Sequence, residues 1–434
     1  MPQLPTSDRD RARLTRFTFL LHLRPVSLPA RALAWRRTFG LGGSSLVLLV
    51  LLALTGPLQM LVYQPTPGAA HQSVLTMEQD VLFGPLVRGV HYWSANLLIL
   101  VVLLHMARVF LTGGYAGRRR FTWVLGAGLL LLILASSFSG YLLPWDQLSY
   151  WAVTIATGML TYVPFIGGRL QEGVLGGAEI SAATLVNFYT LHTALAPLGL
   201  LVLAAWHFWR VRRAGGVVVP DGTAAAGESD KVLFWPHLFA REVAQGLVLV
   251  ALILILATLF GAPLGAAANP GMSPNPAKAP WYFLGFQELL IHFHPVFAVL
   301  VFPLLIALGL VLLPYLVPDG LPEGRWFLSA GGRRSAILAA TLALVATPLL
   351  VILDESAGAE TGNWLVGGVV PLVVLTAICT ALALWTMRRP EAAAPEAIQA
   401  VVVLLFVAFI VLTVIGIWFR GEGMALVWPW TGGV

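Results

Sequence analysis

The chain has 434 residues, of which 58% are hydrophobic and only 11% are charged, and its formal net charge is +6. A soluble protein of this composition would expose large apolar surfaces, so the composition excludes an ordinary soluble enzyme and indicates an integral membrane protein. The basic residues stand at the ends of apolar runs, which is typical of membrane topology and argues against a nucleic-acid partner. The single cysteine, Cys379, excludes a disulfide within the chain, an iron–sulfur cluster held by it and a haem attached through C-x-x-C-H.

Nine apolar runs are long enough to cross a membrane as helices. They cover about residues 40–63, 89–111, 121–143, 185–209, 243–261, 296–316, 335–353, 364–386 and 399–419. Runs of this length predict helices rather than a barrel, whose strands would alternate over about 10 residues. The predicted fold is therefore an all-α integral membrane protein with about nine transmembrane helices, in which a four-helix bundle precedes a five-helix C-terminal part.

The loops between the spans divide the chain into five segments. These are an amphipathic N-terminal lead-in (1–38), the four-span bundle (39–213), a flexible linker (214–230), a three-span part (231–355) and two additional C-terminal spans (356–434). With the N-terminus in the cytoplasm, most basic residues fall in cytoplasmic loops, as the positive-inside rule requires. This arrangement predicts an external C-terminus, and we expect the membrane to be the inner membrane of a bacterium.

Two of the predicted spans carry a histidine near each end. His91 and His105 are 14 residues apart, and His192 and His207 are 15 apart. At about 100° per residue the two pairs are offset by only about −40° and +60°, so each pair lies close to one face with about 21 Å between its members. Both spans are predicted to run inward, so His91 matches His192 in depth and His105 matches His207. The sequence therefore predicts two sites, each with two facing imidazoles.

Two opposed nitrogen ligands in a helical bundle suit haem, whose iron accepts an axial ligand on each face. Such haems would be b-type and non-covalent, and would pass electrons without binding oxygen. Arg88 and Arg108 lie three residues beyond His91 and His105, where each is predicted to pair with a haem propionate. The alternative is a proton relay or an interhelical hydrogen bond, which explains one or two buried histidines but not four with flanking arginines.

The neighbouring spans carry glycines at the same spacing as the first histidine pair. Two pairs are each 14 residues apart, Gly42 with Gly56 and Gly126 with Gly140. A missing Cβ lets a flat macrocycle approach the backbone, so these glycines are predicted haem contacts. Their alternative role is that of ordinary small residues at helix contacts.

The chain resembles cytochrome b of the Rieske/cytochrome b complexes over about residues 35 to 355. The resemblance is carried by R-x-x-H-x13-H-x-x-R, H-x14-H, the glycine pairs, "SGYLLPWDQLSYWAV" and "PNPAKAPWYFLGFQEL". The gap between His192 and His207 and the "PWDQ" motif are similar to the chloroplast and cyanobacterial branch. That branch has two separate proteins where this chain has one, which indicates a fusion of the first-half and second-half subunits.

The resemblance implies a quinol-oxidising function. His91 and His192 would hold the low-potential haem near the outer side, and His105 and His207 the high-potential haem near the inner side. Quinol would be oxidised outside, between "GYLLPWDQ" and the loop with Trp281 and Tyr282, with one electron passed to a Rieske iron–sulfur protein. The other electron would cross the haems and reduce quinone inside, coupled to proton translocation. The implied partners are a c-type cytochrome subunit or other electron acceptor and a second copy of the complex, as a homodimer.

The chain departs from the family pattern at its outer quinol motif. The family has Pro-Glu-Trp-Tyr where this chain has Ala279 to Tyr282, so the carboxylate that would accept a quinol proton is missing. Glu288 is the nearest acid and is the first hypothesis for that role, with a polar interface residue as its alternative. Asp146 is the second hypothesis, although it could instead cap or pair locally.

Three further expectations follow from the resemblance. Gly40 stands where the chloroplast branch has a cysteine that binds an additional haem, so no covalent c-type haem is predicted. Arg241 and Glu242 fall where the family handles protons at the inner quinone site, although a basic residue there is also a common topology anchor. The two spans after residue 362 are expected to serve packing or partner docking.

Two alternative functions remain open at the level of sequence. One is a di-haem membrane anchor that passes quinol electrons onward without bifurcation. The other is a histidine-based proton-coupled transporter, which would hold no haem.

Overall fold

The computed structural model describes residue 7 and residues 27–218, 231–358, 362–389 and 392–430. Over these residues nine helices are long and apolar enough to cross a membrane, which confirms the predicted fold class and number of spans. The helices are α1 Leu41–Met60, α2 Ala70–Gln79, α3 Gly84–Leu111, α4 Arg120–Leu142, α5 Gln147–Met159, α6 Gly167–Leu175, α7 Ala182–Arg213, α8 Phe234–Phe260, α9 Trp281–His292, α10 Phe297–Leu316, α11 Ala330–Ala357, α12 Leu365–Met387 and α13 Ala394–Trp418. All except α2, α5, α6 and α9 are spans.

The two ends of the bundle carry different elements. Following the predicted orientation, we call the end with α5, α6 and α9 the outer end and the opposite end the inner end. At the inner end a short antiparallel ladder pairs β1, Ser27–Pro29, with β2, Lys231–Leu233. The sequence analysis did not predict this ladder, which links the start of the described chain to the start of α8. The remainder of the predicted linker, 219–230, lies outside the described residues, as does most of the N-terminal lead-in.

Helix α3 is the centre of the packing. At 28 residues it is about 42 Å long, which exceeds the roughly 30 Å hydrocarbon core of a bilayer. Its Ile99 packs in one buried cluster with Leu48 of α1 and Ile253 of α8, and all three are fully buried. The first four spans and the fifth therefore share a core, and α3 holds its histidines against neighbours from both parts of the chain.

The outer end is built from surface helices and a long loop. Helix α9 occupies the second half of the segment from 262 to 295, which the sequence analysis treated as one loop. The C-terminal span α13 packs against α9, α11 and α12. Ala400 and Leu404 of α13 form a buried cluster with Ala339 and Ala343 of α11. Small residues on α11 allow this close approach between spans.

Candidate functional site

The outer histidines face each other as the sequence predicted. The ring centres of His91 on α3 and His192 on α7 are 6.1 Å apart, with 71° between the ring planes. Two metal–nitrogen bonds of about 2.0 Å each, together with the width of the imidazoles, require ring centres about 6 Å apart. The spacing of the two rings thus fits two axial ligands of one iron.

Each outer imidazole is held by a hydrogen bond at its Nδ1 atom. The Thr55 hydroxyl donates to Leu51 O at 2.7 Å and lies 2.9 Å from His91 Nδ1, so it accepts from that nitrogen. His192 Nδ1 is 2.9 Å from Ser136 O, a carbonyl that can only accept. A proton fixed on Nδ1 leaves the Nε2 lone pair for a metal, which is the usual arrangement of a ligating histidine. This pattern fits a haem with two histidine ligands.

A local change of helix geometry aligns the histidines of α7. The backbone forms a π turn at Leu191–Leu195, and His192 is the second residue of this turn. A π turn accommodates one extra residue, so the 15-residue spacing to His207 acts as a spacing of 14. The offset of the pair on the helix then changes from about +60° to about −40°, the value for His91 and His105.

All four predicted glycines lie against the histidines. A Cβ on Gly56 would be 3.6 Å from His91 Cε1, and one on Gly140 would be only 2.5 Å from His192 Cε1. The first distance is ordinary contact, whereas the second is too short for any side chain. The glycines therefore make room for the imidazoles, and their contact with the haem ring itself stays a prediction.

The inner histidines have the same surroundings. A Cβ on Gly42 would be 3.6 Å from His105 Cε1, and one on Gly126 would be 3.5 Å from His207 Cε1. His105 and His207 also lie close enough for a charge on one imidazole to affect the other. The structure thus brings together both histidine pairs and all four glycines in the predicted combinations.

Arg88 has protein partners at the outer level. Its guanidinium donates to Glu78 Oε1 at 2.6 Å, to Ala262 O at 2.8 Å and to Pro263 O at 2.6 Å. It therefore ties the outer loop to the span that holds His91. Its predicted role at a haem propionate stays a prediction, and its observed contacts give it a second function in anchoring the loop.

The inner level is lined by a cluster of guanidinium groups. Arg108 donates from Nε to Arg37 O at 2.8 Å and from Nη2 to Val218 O at 3.3 Å. Arg37 and Arg119 lie close enough to Arg108 for their charges to interact. Among the residues that the structure describes, the buried Nε atom of Arg37 has no hydrogen-bond partner. Several cations with an unsatisfied donor fit an anionic group such as a propionate. Arg37 was not predicted, since a basic residue before a span resembles a topology anchor.

An apolar cavity lies at the outer end between α5 and the α9 region. Its volume is about 200 Å³, and its wall includes Phe138, Trp151, Ala156, Lys278, Pro280 and Phe283. The sequence predicts the quinol site between "GYLLPWDQ", which leads into α5, and the loop with Trp281 and Tyr282. Apolar and aromatic walls with a few polar groups are typical of sites that bind a flat organic ring.

The two predicted aromatic residues of α9 point away from this cavity toward the haem-binding spans. Trp281 Nε1 donates to Asn96 Oδ1 at 2.7 Å, and Asn96 stands five residues after His91 on α3. Trp281 and Tyr282 both pack against the buried cluster around α3. Burial raises the pKa of Tyr282, so its hydroxyl stays protonated across the physiological range. These contacts fix the start of α9 relative to the outer histidines.

Glu288 is fully buried and ion-paired. Arg420 donates to it from Nε at 3.0 Å and from Nη2 at 2.8 Å, and His292 Nε2 is 3.6 Å away. Burial raises the pKa of Glu288, but the hydrogen bonds of His292 and Arg420 outweigh burial, so the pKa lies below its usual range. Glu288 is not among the residues that line the outer cavity. Its role as a quinol proton acceptor stays a prediction, for which this geometry gives no support.

Asp146 caps the first turn of α5. Its Oδ1 accepts from the Ser149 backbone at 2.9 Å, and its Oδ2 accepts from the Gly265 backbone at 2.9 Å. The carboxylate therefore fastens the outer loop to α5, which is the local role that the sequence analysis left open. Its proton-accepting role likewise stays a prediction.

The predicted inner quinone residues lie where α8 meets the start of the chain. Arg241 is exposed and donates from Nη1 to Leu33 O, while Glu242 lies beside Gly43, whose added Cβ would be 3.7 Å from its Oε1. Gly40 has φ +61°, and a Cβ there would meet the Gln245 side chain at 1.7 Å. A side chain at residue 40 would therefore strain the left-handed backbone and would require the Gln245 side chain to move.

Two facing pairs of histidines at two depths of a helical bundle define the chain as a membrane protein with two bis-histidine sites. The family model described as "Cytochrome b/b6/petB" matches residues 28–215. Over 175 residues the chain is 41% identical to cytochrome b6 of Prochlorococcus marinus (strain MIT 9515), which is 40% of this chain and 80% of that protein. The same figures hold for cytochrome b6 of Synechococcus sp. (strain CC9605).

The chain therefore belongs to the cytochrome b family, whose members are membrane subunits of quinol oxidoreductase complexes, and this membership implies b-type haems. A solved structure titled "Hyperthermophilic respiratory Complex III" aligns with a TM-score of 0.62 and 24% identity. The alignment covers 88% of this chain and 91% of that chain, so the shared fold extends beyond the family match into the second half. A chain of this length is consistent with the predicted fusion.

Proposed function

We propose that the chain is the di-haem cytochrome b subunit of a complex that oxidises quinol at the outer cavity and reduces quinone at the inner end. The observation that carries the proposal is the position of the cavity near the outer histidine pair: Phe138 lines the cavity, and Ser136 and Gly140 of the same helix contact His192. A second histidine pair lies about 21 Å away along the same two spans. A binding site for quinol and a route for electrons then occupy one bundle.

The residues of the chain would each have a defined part in this function. His91 with His192, and His105 with His207, would ligate one haem each, and the bound haems would supply one-electron carriers at two depths. The Thr55 hydroxyl and the Ser136 carbonyl hold the outer imidazoles in the ligating tautomer. Because two histidines would hold each haem, each site would supply electron transfer rather than oxygen binding.

Bifurcation, in which the two electrons of one quinol go to two different acceptors, is the part of the proposal that explains proton translocation. One electron of each quinol would leave to a Rieske iron–sulfur protein and on to a c-type cytochrome subunit or another acceptor, and the second would cross the bundle inward. The inward electron moves against an outside-positive potential, at about 2.3 kcal/mol per 100 mV for a full crossing. The downhill transfer to the Rieske protein would drive that step. The cavity is lined in part by α5, a surface helix of the outer end, which supports docking of such a partner there.

Quinone reduction is assigned to the inner end, where Glu242 and Arg241 would handle the incoming protons. Both residues stand near the start of α8, where Arg241 donates to Leu33 O and Glu242 lies beside Gly43 in the first turn of α1. The proposed setting is a bacterial inner membrane with a cytoplasmic N-terminus and an external C-terminus, in a homodimeric complex. The distribution of basic residues at the span ends supports this orientation.

The experiment that tests the proposal is reduction of the b haems by quinol in the purified complex. We expect two low-spin b-type signals, and we expect blocking of the inner site in the presence of an oxidant to increase their reduction, because one quinol then has two outlets. A protein without haem signals would instead be the transporter. Reduction that never increases under these conditions would indicate the membrane anchor without bifurcation.

A further inference from the structure

We propose that Arg420, just beyond the last span, is a positioning residue of the quinol cavity, so that α13 and the residues after it belong to the quinol site. This inference rests on the proposed function, because it deepens the assignment of the cavity between α5 and α9. It also gives the C-terminal spans a specific role, where the sequence indicated only packing or partner docking.

Arg420 and Glu288 of α9 form a two-pronged ion pair. The guanidinium donates through Nε and Nη2 to the two carboxylate oxygens, at 3.0 and 2.8 Å, and both side chains are 0% exposed. A two-pronged pair of this kind fixes orientation as well as distance. Removing one partner would leave the other charge buried and unpaired, so the pair holds α9 firmly to the end of α13.

Arg420 also connects a third helix to this pair. Its Nη1 donates to Glu355 Oε1 at the end of α11 at 2.5 Å and to Met424 O at 2.9 Å. His292, at the end of α9, places its Nε2 3.0 Å from Arg420 Nη2. One guanidinium therefore joins the outer ends of α9, α11 and α13.

Helix α9 has the cavity on one face and α13 on the other. Phe283, Phe286, Gln287 and Leu290 line the cavity. On the opposite face, a Cβ on Gly285 would lie 2.7 Å from Phe409 and Thr413 of α13. Helix α9 is thus a single layer between the cavity and α13, and a shift of α9 changes the shape of the cavity.

A third contact links the cavity wall to α13 independently of Arg420. Lys278 lines the cavity, and its Nζ donates to Ile417 O in the last turn of α13 at 3.0 Å. In the same loop, Asn275 Oδ1 accepts from the Gly423 backbone at 2.5 Å. The end of α13 therefore holds both the loop and the helix that form this wall.

A positioning role for this pair and a proton-accepting role for Glu288 predict different kinetics. If the pair only positions the wall, its loss weakens quinol binding, which raises KM and leaves kcat and the pH profile of turnover in place. If Glu288 accepts the proton, Glu288→Gln lowers kcat and changes the pH profile. Arg420→Lys adds a further distinction, because lysine keeps the positive charge beside Glu288 but loses the two-pronged geometry. A positioning role therefore predicts a raised KM in this variant.

The test compares Arg420→Lys, Glu288→Gln and the double variant Arg420→Gln/Glu288→Gln in the intact complex. Arg169→Lys, at an exposed position on α6, is the matched control. Steady-state oxidation of decylubiquinol and of menadiol gives KM and kcat, and the reduced-minus-oxidised spectrum gives the haem content. We expect the first three variants to raise KM about tenfold, with kcat within about twofold and unchanged haem content. Because the pair acts as one unit, the double variant should be no worse than either single variant.

Two results would overturn the positioning role. One is a wild-type KM in Arg420→Lys and in the double variant, and the other is a lowered kcat with a shifted pH profile in Glu288→Gln alone. If a single variant does not assemble, the KM of the double variant decides whether the pair positions the cavity wall, since the double variant removes both charges of the pair. Failure of the double variant to assemble would also count against the positioning role. A wild-type complex that does not oxidise quinol overturns the proposed function itself, and this inference with it.

Discussion

Thr55 on α1 and His91 on α3 share a hydrogen bond of 2.9 Å between Oγ1 and Nδ1. The bond places a hydroxyl acceptor against one imidazole of the outer pair, inside a span that is otherwise strongly apolar. Burying a polar side chain inside an apolar span costs free energy unless the side chain is hydrogen-bonded. The Thr55 hydroxyl is bonded to both the His91 imidazole and the Leu51 carbonyl. The hydroxyl of Thr55 on α1 thus influences the basicity of the His91 imidazole on α3.

Thr55→Val should raise the reduction potential of the outer haem. Loss of the acceptor makes the His91 imidazole less basic, which favours the reduced iron, and partners of this kind also contribute about 10- to 100-fold to metal affinity. Redox titration of the two b-type bands measures the effect. Thr55→Ser keeps the hydroxyl and should behave like the wild type. Equal potentials in the valine and serine variants would contradict the role of the hydrogen bond.

Gly140→Ala should remove the outer haem and spare the inner one. The added Cβ would lie 2.5 Å from His192 Cε1, so the ring must leave its position. Gly128→Ala on the same helix is the matched control, because a Cβ there would lie 3.8 Å from Leu203 in ordinary contact, and both haems should remain. Haem content per chain is the measurement, with about half the wild-type value expected for Gly140→Ala. Full haem content in Gly140→Ala would show that the histidine can be held elsewhere.

Ala156→Phe should block quinol oxidation without loss of haem. Ala156 lines the outer cavity of about 200 Å³, so a phenyl ring there takes up space that the quinol needs. We expect turnover to fall by more than about tenfold, since the substrate no longer fits. Gly158→Ala is the control, because a Cβ at that position on α5 would meet no neighbouring atom of the described chain within 4 Å. Normal turnover in Ala156→Phe would mean that quinol binds at another place.

His292 should make the stability of the complex depend on pH. Burial lowers its pKa, but the hydrogen bonds with Glu288 and Asp354 outweigh burial and the opposing charge of Arg420, so the pKa is raised. A raised pKa means that protonated His292 stabilises the fold fully below about pH 6.5, and that this contribution is lost as the pH rises through the raised value. His292→Gln should remove this loss, measured as Tm between about pH 5.5 and 9. The same slope in variant and wild type would contradict the assignment.

The histidine pairs could be predicted because helical periodicity alone places them. Residues 14 apart share a face of any straight helix, so His91 and His105 needed no tertiary information. The spacing of 15 between His192 and His207 gave only an approximate offset, because the π turn at Leu191–Leu195 is a local backbone change that the residue types there do not predict. The approximate offset was still small enough for His192 and His207 to be paired correctly.

The contacts that join distant parts of the chain could not be predicted. Arg420 meets Glu288 across 132 positions, and an arginine directly after an apolar span looks like an interfacial anchor. The hypothesis for Glu288 was based on its closeness in sequence to the aromatic motif, and sequence distance does not tell which face of α9 a residue occupies. Thr55 had a usable signal, since a hydroxyl next to Gly56 stands at the depth of His91.

The central claim is that four histidines hold two b-type haems, one pair at each depth of the bundle. Haem content and visible spectra of His192→Leu and His207→Leu, each compared with the wild-type complex, test it most directly. The account predicts two haems in the wild type and loss of one distinct b-type band in each variant, with the other band retained. A colourless wild-type protein, or variants that keep both bands, would contradict it.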